Sequence, residues 1–458
     1  MSRVFDAIIV GAGQAGPALA GRLTGAGMKV ALIERHLFGG TCVNTGCMPT
    51  KALVASAYAA HIARRGGEFG VMLAAPPVVD MGVVAARAGK VASTARGNVE
   101  SWLRGMEGLT VITGHARFQA RDTLRVGEEL LSAPRIFLNV GGRAAIPEMP
   151  GLAEVPYLTN GTIIGLDRLP EHLVVIGGSY IGLEFAQIYR RFGAAVTVVE
   201  KGPRLVARED EEVSEAIREI LEDEGIAIRT GTDCIGFARK GERIAVSVDC
   251  ASGSPAIEGS DVLLAVGRRP NTDDLGLERA GIATDRRGHI QVDDALATNV
   301  PGVWALGECN GRGAFTHTAY NDYEIVAANL LDGEERRLGA RIPGYALFID
   351  PPLGRVGMTL AEARASGRPL LIGKRPMSRV GRAIEKGETK GFMSVVADAQ
   401  TRRVLGAAIL GTGGDEAIHG LLDLMTLDQP FDRLVRSVPI HPTVSELLPT
   451  LLNEMKPG

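Results

Sequence analysis

Two cysteines with four residues between them, Cys42 and Cys47, sit in the run Gly39-Gly40-Thr41-Cys42-Val43-Asn44-Thr45-Gly46-Cys47-Met48-Pro49-Thr50-Lys51. A glycine-rich turn of the kind that cradles phosphates lies just upstream, so the pair points to dithiol chemistry beside a redox cofactor. If a helix opens at this segment, its N-terminal amides favour a thiolate at Cys47 and lower a pKa that is ordinarily about 8.5. Zinc ligation would ask for a second cysteine pair or histidines at ligand spacing. Neither is present, and no metal site is expected. Near the other end, His441-Pro442-Thr443 is followed by Glu446. A carboxylate there can orient the imidazole as a general acid and base towards a thiol, although the same pair also suits an ordinary surface.

The elements that must position these groups are legible as two βαβ units. In the first, Val4 to Val10 is expected as a strand, Gly11 to Gly16 as a turn, Pro17 to Gly25 as a helix and Lys29 to Glu34 as a second strand. Gly11, Gly13 and Gly16 fit G-x-G-x-x-G, and Glu34, 23 residues beyond Gly11, can accept hydrogen bonds from an adenosine ribose. The second unit runs from Leu173 to Glu200 around Gly177, Gly178 and Gly182, with Ser179 where a middle glycine is expected. Glu200 repeats the acidic position and favours NADH over NADPH, whereas Lys201 and Arg204 beside it pull the other way. Ala52 to Met106 carries alanine-rich helical stretches, and Val111 to Val140 reads as short strands. Two buried strands ending at Gly267 and Gly307 return the chain towards the first nucleotide site, each at a glycine where backbone can approach a ligand. After about residue 340 the glycine fingerprints stop, and a separate domain begins.

Composition is consistent with this plan. The 458 residues are 45% hydrophobic and 22% charged with a net charge of -3, enough for roughly three domains. No basic run marks a nucleic-acid or anionic-membrane partner. The apolar start is interrupted by Asp6 and Gln14, unlike a signal peptide, and no apolar run reaches the roughly 18 to 20 residues of a membrane span. Five cysteines form a sparse, odd set, which suits a reducing cytoplasm better than a secreted disulfide framework. Cys234 and Cys250 are expected as packing residues.

Taken together, the Cys42 to Lys51 segment, both nucleotide turns, Gly307-Glu308 and His441-Pro442-Thr443 resemble the class I flavoprotein disulfide reductases over essentially the whole chain. That is the family of lipoamide dehydrogenase, glutathione reductase and mercuric reductase. The resemblance implies an α/β fold with two Rossmann-like domains, for FAD and NAD(P), and a C-terminal α+β dimerisation domain. Its boundaries would be 1–150 and 271–340 for the FAD domain, 151–270 for the NAD(P) domain and 341–458 for the last. It implies FAD held by the first turn, Glu34, Gly40, Thr41, Gly307 and Glu308, the last standing where the family usually has aspartate. It implies a nicotinamide nucleotide on the second turn, with Gly267 nearby and Tyr180 covering the pocket when that nucleotide is away. Cys47 would face the flavin and form a charge-transfer complex, and Cys42 would attack substrate. Lys51 would pair with Glu184 near the flavin N5, and His441, oriented by Glu446 and donated by the other subunit of a homodimer, would move the proton. The Phe315-Thr316-His317 stretch would begin a helix aimed at the flavin, with His317 structural.

Within the family, Phe348 to Gly357 and Met377 to Ala383 look most like the mercuric-reductase-like branch. No cysteine follows Cys309, so efficient mercuric reduction is not expected. The acceptor would be a small-molecule or protein disulfide, a metal ion or another small acceptor. Dihydrolipoamide dehydrogenase running dithiol to NAD+ is the alternative. A soluble transhydrogenase or a non-catalytic redox-binding protein is the alternative of another class.

Overall fold

Ala7–Val10, buried at every position, becomes the centre of a five-stranded parallel sheet. Its order is Val303–Ala305, Ile136–Leu138, Ala7–Val10, Val30–Glu34 and Leu109–Thr113. Covered on both faces, such strands read as apolar runs rather than as alternations. The computed structural model describes residues 2–232, 234–248 and 256–458. The single strand expected from Val4 to Val10 is divided. Ser2–Val4 joins a different sheet beside Glu129–Ser132, and the Asp6 carboxylate takes the Lys29 amide at 2.8 Å where the chain changes sheets.

The helix Cys47–Arg64 packs against the long helix Met81–Arg104 and against Tyr180–Phe192 of the second unit. That second unit has a four-stranded parallel sheet in the order Ala227–Arg229, Ala195–Val199, His172–Ile176 and Asp261–Leu264. The strand expected to run on to Gly267 stops at Leu264. Arg268–Pro270 then pairs antiparallel with Gly142–Ala144, a two-stranded crossing that leads back to the first sheet.

From Gly344 the chain builds a six-stranded antiparallel sheet. The helices His419–Thr426 and Leu447–Asn453 are packed through Leu421, Leu448 and Leu451 onto Met393, Val395 and Ile409. The whole is a mixed α/β fold of two nucleotide-type units and a C-terminal α+β unit. Arg191, 5% exposed, ties the second unit to the third by bonding both Glu224 and the Asp350 carboxylate. Among the described residues no helix is long and apolar enough to cross a membrane. Cys234, expected as a packing residue, is disulfide-bonded, and Cys250 lies outside the described residues.

Candidate active site

Both glycine turns solve the same steric problem. Gly11, at φ +103°, passes so close to the end of the neighbouring strand that a Cβ would lie 2.3 Å from the Asn139 carbonyl oxygen. Gly177, at φ +112°, would put one 2.4 Å from that of Ala265. Only glycine fits a left-handed backbone at such a crossing. Gly13 completes the first turn and Gly178 the second, while Gly16 opens the helix Gly16–Gly25 and Gly182 lies in the first turn of Tyr180–Phe192. At the end of the following strand the Glu34 carboxylate accepts the Ala12 and His36 amides, both at 2.8 Å. The Glu200 carboxylate accepts the Gly178 and Gly202 amides, both at 2.6 Å. Each carboxylate oxygen keeps a lone pair for a ribose hydroxyl. Arg204 donates through Nη2 to the Ala207 and Glu209 carbonyls, each at 3.1 Å.

A cavity of about 1100 Å³ runs from Gly11 and Glu34 past Cys42, Cys47 and Lys51 to Tyr180. Ordinary small-ligand clefts span about 300 to 1000 Å³, so the space, with its backbone cradle at one end, suits a dinucleotide cofactor such as FAD. Gly40 and Gly307 line it, as does Thr41, whose hydroxyl donates to the Gly142 carbonyl at 3.3 Å. Gly267 does not; its neighbour Arg268 forms the wall instead. Arg268 grips Glu308 at 2.8 Å and the Gly142 carbonyl at 2.7 Å, so the longer acid at that position is met by a guanidinium. Sequence reasoning missed this pair. It also missed Asn139, whose side chain accepts the Gly16 amide at 3.1 Å and donates to the Leu306 carbonyl at 3.0 Å. No local pattern marks an asparagine that joins three distant segments.

Cys42 lies in the short helix Gly40–Asn44, and Cys47 is the first residue of Cys47–Arg64; both are free thiols. The two titrate in opposite directions. A hydrogen bond from Cys42, aided by the Thr316 hydroxyl at 3.5 Å and the Lys51 charge, brings Cys47 down to about 5 against the effect of burial. Cys42 is pushed up by the same hydrogen bond, by burial and by its charged neighbour. Thr316, first residue of the helix Thr316–Ala327, is thus part of the thiol site, a role its type and position did not announce. His317 donates its Nε2–H to the Gly344 carbonyl at 2.7 Å.

Lys51 bonds Glu184 at 2.7 Å and sits 4.4 Å over the Phe348 ring, and Glu184 also accepts the Phe348 amide at 3.1 Å. Tyr180 opens its helix with its ring at the cavity wall, and burial raises its phenol pKa. His441 Nδ1 is 2.9 Å from a Glu446 oxygen. Because a carboxylate only accepts, Nδ1 carries the proton and Nε2 faces outward with a lone pair. The His441 side chain is 81% exposed and does not line the cavity in its own chain.

Two free thiols shifted in opposite directions, lining a dinucleotide-sized cavity beside a lysine, mark a nucleotide-dependent disulfide oxidoreductase. Residues 5–322 match the pyridine nucleotide-disulphide oxidoreductase family, and residues 343–452 match the dimerisation domain of the same family. The chain is 34% identical to the probable pyridine nucleotide-disulfide oxidoreductase RclA of Escherichia coli, covering 99% of each. It is 33% identical to a mercuric reductase of Streptomyces lividans, covering 97% of this chain and 94% of that one. It is also 33% identical to a dihydrolipoyl dehydrogenase of Thermus scotoductus, covering 97% and 96%. Among solved structures, the Cu(II) complex of the HOCl-induced flavoprotein disulfide reductase RclA from Escherichia coli superposes with a TM-score of 0.90 at 33% identity, covering 99% of both chains. The chain belongs to the class I pyridine nucleotide-disulfide oxidoreductases, and its activity is that of an FAD-dependent NAD(P)H disulfide oxidoreductase.

Proposed function

We propose that this enzyme uses NADH to reduce a small disulfide through Cys47 and then Cys42, with His441 of the partner subunit as the acid and base. The placement of the two thiols carries the proposal: Cys42 and Cys47 line the cavity together beside Lys51 and Thr316, with Cys47 shifted towards the thiolate and Cys42 towards the thiol. When bound, FAD supplies the transfer of reducing equivalents between nicotinamide and sulfur.

From the reduced dithiol, Cys42 must lose its proton before it can attack, and an imidazole with a free Nε2 is the group to take it. The Cys42 sulfur then forms a mixed disulfide with one substrate sulfur and expels the other, which the imidazolium protonates. Cys47, already a thiolate, attacks the Cys42 sulfur, closes the Cys42–Cys47 bond and releases the second substrate sulfur as a thiolate, which takes its proton from solvent. One electron pair and the single proton of Cys42 leave the enzyme per disulfide cleaved. Glu446 keeps the imidazole in the tautomer this requires. The dimerisation domain and the exposure of His441 away from its own cavity support a homodimer in which each copy completes the other's site.

NADH rather than NADPH is supported by Glu200, whose carboxylate, fixed by the Gly178 and Gly202 amides, would repel a 2′-phosphate. The test is a parallel assay of the FAD-loaded enzyme with lipoamide, glutathione disulfide and dithiobis-nitrobenzoate, each with NADH and NADPH. Turnover of at least one disulfide with NADH favoured is the expected result. NADH bleaching of the flavin with no disulfide consumed would place the acceptor in another chemical class, and cupric ion is the first to add because a relative was solved with it.

A further inference from the structure

We propose that Tyr345 is a positioning residue that holds the Tyr180 ring across the nicotinamide side of the cavity and is itself anchored by the buried Glu209–Arg355 pair. This rests on the proposed role of Tyr180 as the ring that covers that pocket. Three aromatic rings from three parts of the chain meet there. Tyr345, on the edge strand Gly344–Leu347, lies 5.4 Å from Tyr180 at 75° and 5.7 Å from Phe315 at 13°. Tyr180 is in turn 6.2 Å from Phe315 at 82°, so it rests edge-on against both other rings, a favoured aromatic geometry.

Tyr345 cannot easily give way. Its hydroxyl donates to Glu209, whose side chain is fully buried and whose other oxygen accepts Arg355 Nε at 3.0 Å. Arg355, 3% exposed, also reaches Asp210 at 3.0 Å, and Asp210 accepts the Leu360 amide at 3.1 Å. Burial and the Glu209 charge raise the Tyr345 phenol pKa, which keeps the donor proton in place. Tyr180 has a looser footing. It stands at the first turn of its helix, where a change of side-chain rotamer swings the ring without moving the backbone. For a nicotinamide to enter, Tyr180 must leave Tyr345, and the strength of that contact enters the apparent affinity for NADH.

The experiment is a mutant cycle on the FAD-loaded enzyme, reading KM and kcat for NADH and the rate at which NADH bleaches the flavin. Tyr180→Ala and Tyr345→Leu are each expected to lower KM for NADH about three- to tenfold, as befits one aromatic contact. The double variant is expected to match Tyr180→Ala alone, because Tyr345 acts through Tyr180. A Tyr345→Leu effect that persists in full without the Tyr180 ring would overturn the proposal. So would its absence when Tyr180→Ala lowers KM. If Tyr180→Ala itself leaves KM unchanged, the covering role of Tyr180 fails and the proposal fails with it. Tyr345→Phe keeps the ring packing and deletes the hydroxyl, with its tether to Glu209 and its contact with the Tyr180 hydroxyl. It should lower KM in the same direction by about twofold, with some loss of melting temperature because a buried Glu209 oxygen loses its donor, and an unchanged KM counts against the anchor even if the leucine variant does not fold.

Discussion

Replacing Thr316 by valine removes a hydroxyl from Cys47 while preserving the branched shape at the start of its helix. The Thr316 oxygen lies 3.5 Å from the Cys47 sulfur and is one of the causes that bring the thiol down to about 5. A hydrogen bond to a charged group is worth about 1.5 to 3 kcal/mol when well shielded. Here sulfur is a soft acceptor and Cys47 is exposed to the cavity it lines, so half of each bound, ~0.75 to 1.5 kcal/mol, is the realistic share. At 1.36 kcal/mol per pH unit, the Cys47 midpoint should rise by about 0.5 to 1 unit. The cleanest assay uses a Cys42→Ser background, in which Cys47 is the one active-site thiol, and follows the long-wavelength thiolate–flavin absorption of the FAD-loaded protein against pH. Thr316→Ser should leave the midpoint near its starting value. A valine variant that titrates like the parent, or a serine variant that shifts as far as the valine, would refute the reasoning.

Cys42→Ser is expected to keep flavin reduction and the long-wavelength absorption but to abolish disulfide turnover, whereas Cys47→Ser removes the absorption; the reverse pattern would exchange the two roles. Stability of the reduced protein should also depend on Cys47. Its folded value of about 5 lies below the ordinary thiol value of 9.0, so the thiolate's contribution is full above that upper value and is lost as pH falls through about 5. Cys42 is shifted upward and stays a thiol in the folded protein through that window; unfolded, it ionises only towards the upper end, near 9.0. The melting temperature of the reduced protein relative to Cys47→Ser should therefore climb from pH 5 to pH 9, and a flat difference would contradict it. Arg355→Leu leaves the fully buried Glu209 without its cation and should cost about 3 kcal/mol in urea unfolding. A loss under ~1 kcal/mol would mean that the Tyr345 hydroxyl compensates the charge unaided.

The fold class and both nucleotide turns were legible because the backbone itself imposes them. Gly11 and Gly177 are forced by close crossings, and a βαβ unit of fixed length delivers Glu34 and Glu200 to equivalent places. Cys47 at a helix start was legible for the same local reason. What escaped depends on where distant segments meet. An apolar run declares burial but not which sheet it will join, so the break at Asp6 was invisible. Asn139, Thr316 and Tyr345 are ordinary residues until distant segments converge on each. Glu308 looked like a departure from pattern and turned out to be matched by Arg268, 40 positions away.

Lys51 belongs to the first unit, the carboxylate that grips it to the second, and the ring beneath it to the third, which also lends that carboxylate an amide. A cation under such joint custody makes the dimerisation module inseparable from the electronics of the sulfur centre. Chimaeras that exchange this module between relatives would therefore transplant part of the redox tuning together with the quaternary contact. Any hinge between the units would be registered first at the ammonium beside the thiolate.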